Sequence, residues 1–130
     1  TRIELVTVQN LLNATGKTLY VEKEHSIDAA TAISGSGPAY VYYFMNAMID
    51  AAKNMGFSPS EAELLVSQTF SGAVDLYHNA DLSCESWISR VASKGGTTEA
   101  ALRVFSQKAL HEAIVEGAQA ALQRATELGR

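Results

Sequence analysis

The stretch from Ala39 to Met55 constrains this chain most. Its polar residues are Asn46, Asp50, Lys53 and Asn54, and everything else from Tyr40 to Ala52 is apolar or aromatic. Spacings of four and three residues put those four on one narrow stripe of a helix with period 3.6. A helix apolar on most of its surface must be covered on most sides. In a chain of 130 residues that leaves two solutions: a helix central to its own domain, or a helix shared with a second subunit. Its start is marked by Ser36 or Gly37 as cap and by Pro38 in the first turn, where a missing N–H leaves nothing unpaired.

The remaining residues supply further helices. Hydrophobic residues make up 47% and charged residues 18% of the chain, enough apolar surface for one domain with a core and too much for a disordered segment. Val6, Leu11 and Leu12 suggest a short first helix, stopped by Gly16 as its C-terminal cap. Thr18-Leu19-Tyr20-Val21 is β-branched and aromatic and reads as one short strand, which needs a partner from another domain or chain. Gly56-Phe57 breaks the apolar helix. Ser58 and Glu61 then form a capping box with Pro59 at the first helical position. That helix runs to about Asn79, with Ala62, Leu65, Val66, Thr69, Phe70, Ala73, Leu76 and Tyr77 inward. Asp81 to Val91 is a shorter helix with Trp87, Ile88 and Val91 inward. Glu99 to Leu128 is helical, with Leu102, Phe105, Leu110, Ala113, Ile114, Gly117, Ala118, Ala121, Leu122, Ala125 and Leu128 as its inward stripe and a kink or turn near Gln107-Lys108. The fold class is all-α: a multi-helix bundle with one short N-terminal strand.

Several functions fit poorly. A net charge of −4 lacks the concentrated basic face that nucleic acid or an anionic membrane requires. The richest apolar run, Pro38 to Met45, ends at Asn46, short of the ~20 residues of a membrane span. Thr1-Arg2-Ile3-Glu4-Leu5 argues against a signal peptide. Cys84 is the only cysteine, which fits a reducing, cytoplasmic setting. With no local His or Lys it reads as a partly buried, inert thiol. His25, His78 and His111 have no second ligand at helical spacing, so no metal is expected.

Two glycine motifs remain. Gly35-Ser36-Gly37 begins like a dinucleotide fingerprint, but Tyr40 stands where the third glycine is needed and no convincing strand precedes it. Gly95-Gly96-Thr97-Thr98 differs. Two glycines expose backbone N–H groups, a helix follows at once, and Lys94 adds positive charge. Such a helix start favours an anion. From the local pattern alone, a carboxylate site and an ordinary Thr-capped loop both stay open.

Thr31-Ala32-Ile33-Ser34-Gly35-Ser36-Gly37-Pro38-Ala39-Tyr40, then Asn54-Met55-Gly56-Phe57, then Gly95-Gly96-Thr97-Thr98, together resemble the C-terminal domain of the pyrroline-5-carboxylate reductase family. The resemblance runs from about Arg2 to Gly129. It implies reduction of the C=N bond of 1-pyrroline-5-carboxylate to L-proline by hydride from NADPH or NADH. It implies an interlocked homodimer, with larger assemblies open, and a small-molecule substrate lying where this domain meets the nicotinamide. Residue by residue, it implies substrate contacts at Ser93, Gly95, Gly96, Thr97 and Thr98, with the Thr98 hydroxyl at the ring nitrogen as the catalytic group. The family commonly has proline where Lys94 stands and often a glutamate where Asp81 stands. The resemblance further implies that residues 1–24 lead from a Rossmann domain outside this sequence, which binds the dinucleotide. Residues 25–130 would then be the dimerisation and substrate-binding domain, expected to be inactive alone. Two other readings compete: a purely structural helical dimeriser, and the helical domain of a related imine or hydroxyacid reductase. Loop amides that are paired internally or face bulk solvent would mark the first.

Overall fold

The computed structural model describes residues 1–129. Its α-helices are α1 (Arg2–Asn13), α2 (Glu24–Ala30), α3 (Gly37–Asn54), α4 (Pro59–Asn79), α5 (Cys84–Val91), α6 (Thr97–Gln107) and α7 (Leu110–Leu128), and a π-helical turn (Thr31–Gly35) joins α2 to α3. The described residues contain no strand, as an all-α fold requires. Thr18–Val21 therefore corrects the expectation of a short strand. The segment is irregular and finds no strand in its own chain to complete a hydrogen-bond ladder, and Leu19 is 85% exposed.

Local chemistry explains several helix ends. Ser58 accepts the Glu61 N–H at 3.3 Å while the Glu61 carboxylate accepts the Ser58 N–H at 2.8 Å. The Ser58 N–H, donating to the carboxylate, and after it the nearby Ser58 hydroxyl hold the Glu61 carboxyl below its ordinary value of 4.5. Helix α3 ends where Gly56 adopts φ +105. Its N–H then reaches the Lys53 carbonyl, and the Phe57 N–H reaches that of Ala52. This paired closure needs a left-handed residue after the cap, which favours glycine.

Other boundaries differ from expectation. α1 stops at Asn13 with Ala14 as its cap, and Gly16 is not among the left-handed glycines. α5 starts at Cys84 rather than Asp81, because Ser83 caps it by accepting the Ser86 N–H at 3.1 Å. Cys84 is exposed rather than partly buried, since it occupies the first helical position beside that cap. The turn near Gln107-Lys108 is a full break, with Ala109 left-handed at φ 51 before α7 begins. α2 and its π-helical turn had no counterpart in the sequence reading; the Tyr40 hydroxyl bonds the Ala32 carbonyl at 2.9 Å and ties that turn to α3.

Packing within the chain is sparse. α3 lies along α4, and α7 packs against α2, its π-helical turn and α6. Phe44 joins three helices, with its ring 6.0 Å from Phe70 and 6.4 Å from Phe105. Yet among the described residues only Ala32, Ala62 and Val66 are buried. Leu65, Leu76, Tyr77, Ile88, Val91 and Ile114, all expected inward, are exposed. On α3, Tyr42 is 67% and Tyr43 82% exposed. The apolar helix is thus not the centre of its own chain. A folded monomer of 13.9 kDa would expose about 6,700 Å²; this chain exposes 10725 Å². No described helix is long and apolar enough to cross a membrane.

Candidate functional site

The loop between α5 and α6 carries the expected site residues, and its shape follows from its two glycines. Gly95 sits at φ +74, a left-handed conformation that costs a non-glycine residue roughly 1–2 kcal/mol. At Gly96 a Cβ would lie 2.5 Å from the Ser93 Oγ and 3.1 Å from the Ser93 carbonyl oxygen. The loop therefore folds back tightly on Ser93, so that a side chain at position 96 would have to displace the Ser93 hydroxyl and crowd its carbonyl, and the Gly96 N–H donates to the Ser93 carbonyl at 3.0 Å.

Helix α6 begins immediately after, at Thr97, with Gly96 in the cap position and no side chain capping it. The first intrahelical bond runs from the Ala100 N–H to the Gly96 carbonyl at 3.2 Å. Among the described residues, the N–H groups of Thr97, Thr98 and Glu99 meet no acceptor. Such a start concentrates free donors and the positive end of the helix dipole. The Thr98 side chain is half-buried, and its hydroxyl makes no hydrogen bond within the described residues. Ser93, Lys94, Gly95 and Thr97 are exposed and Gly96 is half-buried.

The five expected contacts thus lie within one six-residue stretch, but they are not equivalent. Gly95 and Gly96 have their N–H groups engaged within the chain; Thr97 and Thr98 have theirs open. Sequence reasoning passed over Glu99, whose carboxylate accepts the Gly95 N–H and whose other oxygen lies 3.5 Å from Arg103. The available signal was an acid at the third helical position, as in a capping box. A concavity of about 510 Å³ lined by Val115, Glu116, Gln119, Ala120, Leu122 and Gln123 lies on α7 and contains none of the loop residues. No group of three or more metal-ligating side chains occurs among the described residues.

The Gly35-Ser36-Gly37 turn does not have the setting of a dinucleotide fingerprint. Gly35 ends the π-helical turn and Gly37 opens α3, so the Gly-rich turn joins helix to helix. The fingerprint needs a strand feeding that turn and backbone amides turned toward a pyrophosphate.

Fold and packing define the class first: an all-helical domain with more apolar surface than one chain covers. Comparison with known proteins then supplies the family. The family described as pyrroline-5-carboxylate reductase dimerisation matches residues 24–128, and the chain belongs to it. A Bacillus subtilis pyrroline-5-carboxylate reductase is 37% identical over 125 residues, 96% of this chain and 45% of that protein. A pyrroline-5-carboxylate reductase structure from Coxiella burnetii superposes with a TM-score of 0.94 at 34% identity, over 98% of this chain and 47% of that one. A pyrroline carboxylate reductase from Plasmodium falciparum, solved with NADP bound, gives a TM-score of 0.89 at 30% identity, over 100% of this chain and 49% of that one. The chain spans a little under half the length of these relatives.

Proposed function

We propose that this chain is the dimerisation and substrate-binding half of a pyrroline-5-carboxylate reductase, which converts 1-pyrroline-5-carboxylate to L-proline. The observation that carries the reading is the open start of α6 beside an unengaged Thr98 hydroxyl, in a member of this family. The Thr97 and Thr98 N–H groups bind the substrate carboxylate at the positive end of the helix dipole. The Thr98 hydroxyl bonds the ring nitrogen and so turns the imine carbon toward hydride attack. As hydride adds to that carbon and the C=N bond becomes C–N, the nitrogen takes up one proton from water and becomes the amine. Ser93, Gly95 and Gly96 shape the turn that presents these donors. NADPH or NADH supplies the hydride in this reaction, from a domain other than this one.

Two copies of the chain cover each other's apolar faces. The surface in excess of a folded monomer is about 4,000 Å² per chain, and an interface of that size exceeds ordinary obligate contacts, which favours interlocked rather than merely touching subunits. Residues 1–24 lead in from the dinucleotide-binding domain, and residues 25–130 form the dimer and the substrate loop; α1 buries none of its side chains in its own chain.

A purely structural dimeriser draws support from one observation. Gly95 and Gly96 have internally paired amides, as such a module would. The half-buried Thr98, whose hydroxyl has no partner among the described residues, favours the binding reading. The test is proline formation by the reductase carrying this chain, as wild type and as Thr98→Ala. We expect Thr98→Ala to lower turnover about a hundredfold with the unfolding temperature unchanged. Wild-type rates in Thr98→Ala would overturn the site.

A further inference from the structure

We propose that Glu99 is a positioning residue of the substrate loop: its carboxylate takes up the Gly95 amide and leaves the Thr97 and Thr98 amides to receive the ligand's carboxylate. This rests on the reading of Ser93–Thr98 as the carboxylate-binding loop. A capping box normally pairs the acid at the third helical position with the N–H of the cap residue. Here the cap residue is Gly96, and its N–H is already taken by the Ser93 carbonyl at 3.0 Å. Glu99 therefore reaches one residue further back, to the N–H of Gly95. The bond ties the left-handed Gly95, at φ +74, to the first turn of α6.

Arg103 completes the arrangement. Its guanidinium lies 3.5 Å from the second Glu99 oxygen, one helical turn along. The carboxylate is thereby held at both oxygens, and its negative charge beside an anion site is partly offset. At the start of α6 the division of labour is sharp. Gly95 and Gly96 give their N–H groups to the chain, and Thr97, Thr98 and Glu99 keep theirs. Removing the Glu99 carboxylate frees the Gly95 amide and releases the turn from the helix. The donors that face the ligand are then no longer fixed relative to the Thr98 hydroxyl.

The test compares Glu99→Ala and Glu99→Gln in the reductase carrying this chain. Glutamine keeps an oxygen that accepts the Gly95 N–H, whereas alanine does not. We expect Glu99→Ala to raise KM for 1-pyrroline-5-carboxylate about tenfold, the size of one hydrogen bond to a charged group, with kcat little changed. Glu99→Gln should restore KM to the wild-type value or below, since it also removes a like charge. Amide exchange at Gly95 should quicken in Glu99→Ala and stay slow in Glu99→Gln. A Glu99→Ala enzyme with wild-type KM, a Glu99→Gln enzyme as impaired as Glu99→Ala, or unchanged Gly95 exchange in Glu99→Ala would each overturn the proposal. A wild-type enzyme without proline-forming activity would instead overturn the functional reading, and Gly95 exchange would still decide the role of Glu99.

Discussion

Within the Ser93–Thr98 loop the geometric demands of the turn are met by atoms of the same chain, whereas helix α3 meets few of its own. The loop has a left-handed Gly95, a Gly96 pressed on Ser93, and two internal amide bonds. α3 has Pro38 in its first turn and a paired closure at Gly56, yet Tyr42 and Tyr43 face outward from the chain. The two regions separate two kinds of structural information. Turn and cap chemistry is local, and one chain suffices to express it. Burial of a nearly all-apolar helix is a property of the assembly, and one chain leaves it unfinished.

Substitutions can break that contrast, and the largest effect belongs to α3. We expect Tyr43→Asp to abolish both dimer formation and cooperative thermal unfolding. An uncompensated charge in a buried interface costs several kcal/mol, and the monomer has little core to retain. Sedimentation with circular dichroism checks this, with Asn46→Asp on the polar stripe as the control that leaves the dimer intact. A dimeric, cooperatively folded Tyr43→Asp protein would remove the contrast. In the loop the expected effect is confined. Gly96→Val places a side chain where its Cβ would lie 2.5 Å from the Ser93 Oγ, so KM for 1-pyrroline-5-carboxylate should rise at least about tenfold while the dimer persists. Loss of the dimer in Gly96→Val would show the loop to be less self-contained than its bonds indicate.

The smallest effect concerns the start of α4. Ser58→Ala should destabilise the folded dimer by about 1 kcal/mol, measured by denaturant unfolding. Glu61 is bound as a carboxylate, so its folded pKa lies below its ordinary value. Its contribution is therefore present above the ordinary carboxyl range and is lost as pH falls through the depressed value. Stability of wild type should decline more steeply on acidification than that of Glu61→Gln. Parallel profiles would show that the capping box contributes nothing beyond its neutral hydrogen bonds.

What the sequence made legible follows the same division. The Ser58–Glu61 box, the Pro38 start, the Gly56 stop and the Gly95-Gly96 turn were readable because each depends on residues within a few positions. The inward stripes of α4, α5 and α7 were readable as periodicity but not as burial, because periodicity says which face is apolar and not which body covers it. Thr18–Val21 has strand-forming residues and no strand, since a ladder depends on a partner that local preference cannot provide. α2 and its π-helical turn escaped notice because Glu24–Ala30 is short and lacks a side-chain cap. Glu99 escaped because its signal, an acid at the third helical position, is ordinary until the glycine amide it reaches is seen.

Sedimentation equilibrium of the isolated chain at micromolar concentration tests the central claim most directly. We expect a dimer or a multiple of it, with an unfolding temperature that rises with protein concentration because folding and association are linked. A stable, folded monomer with a concentration-independent unfolding temperature would contradict the account.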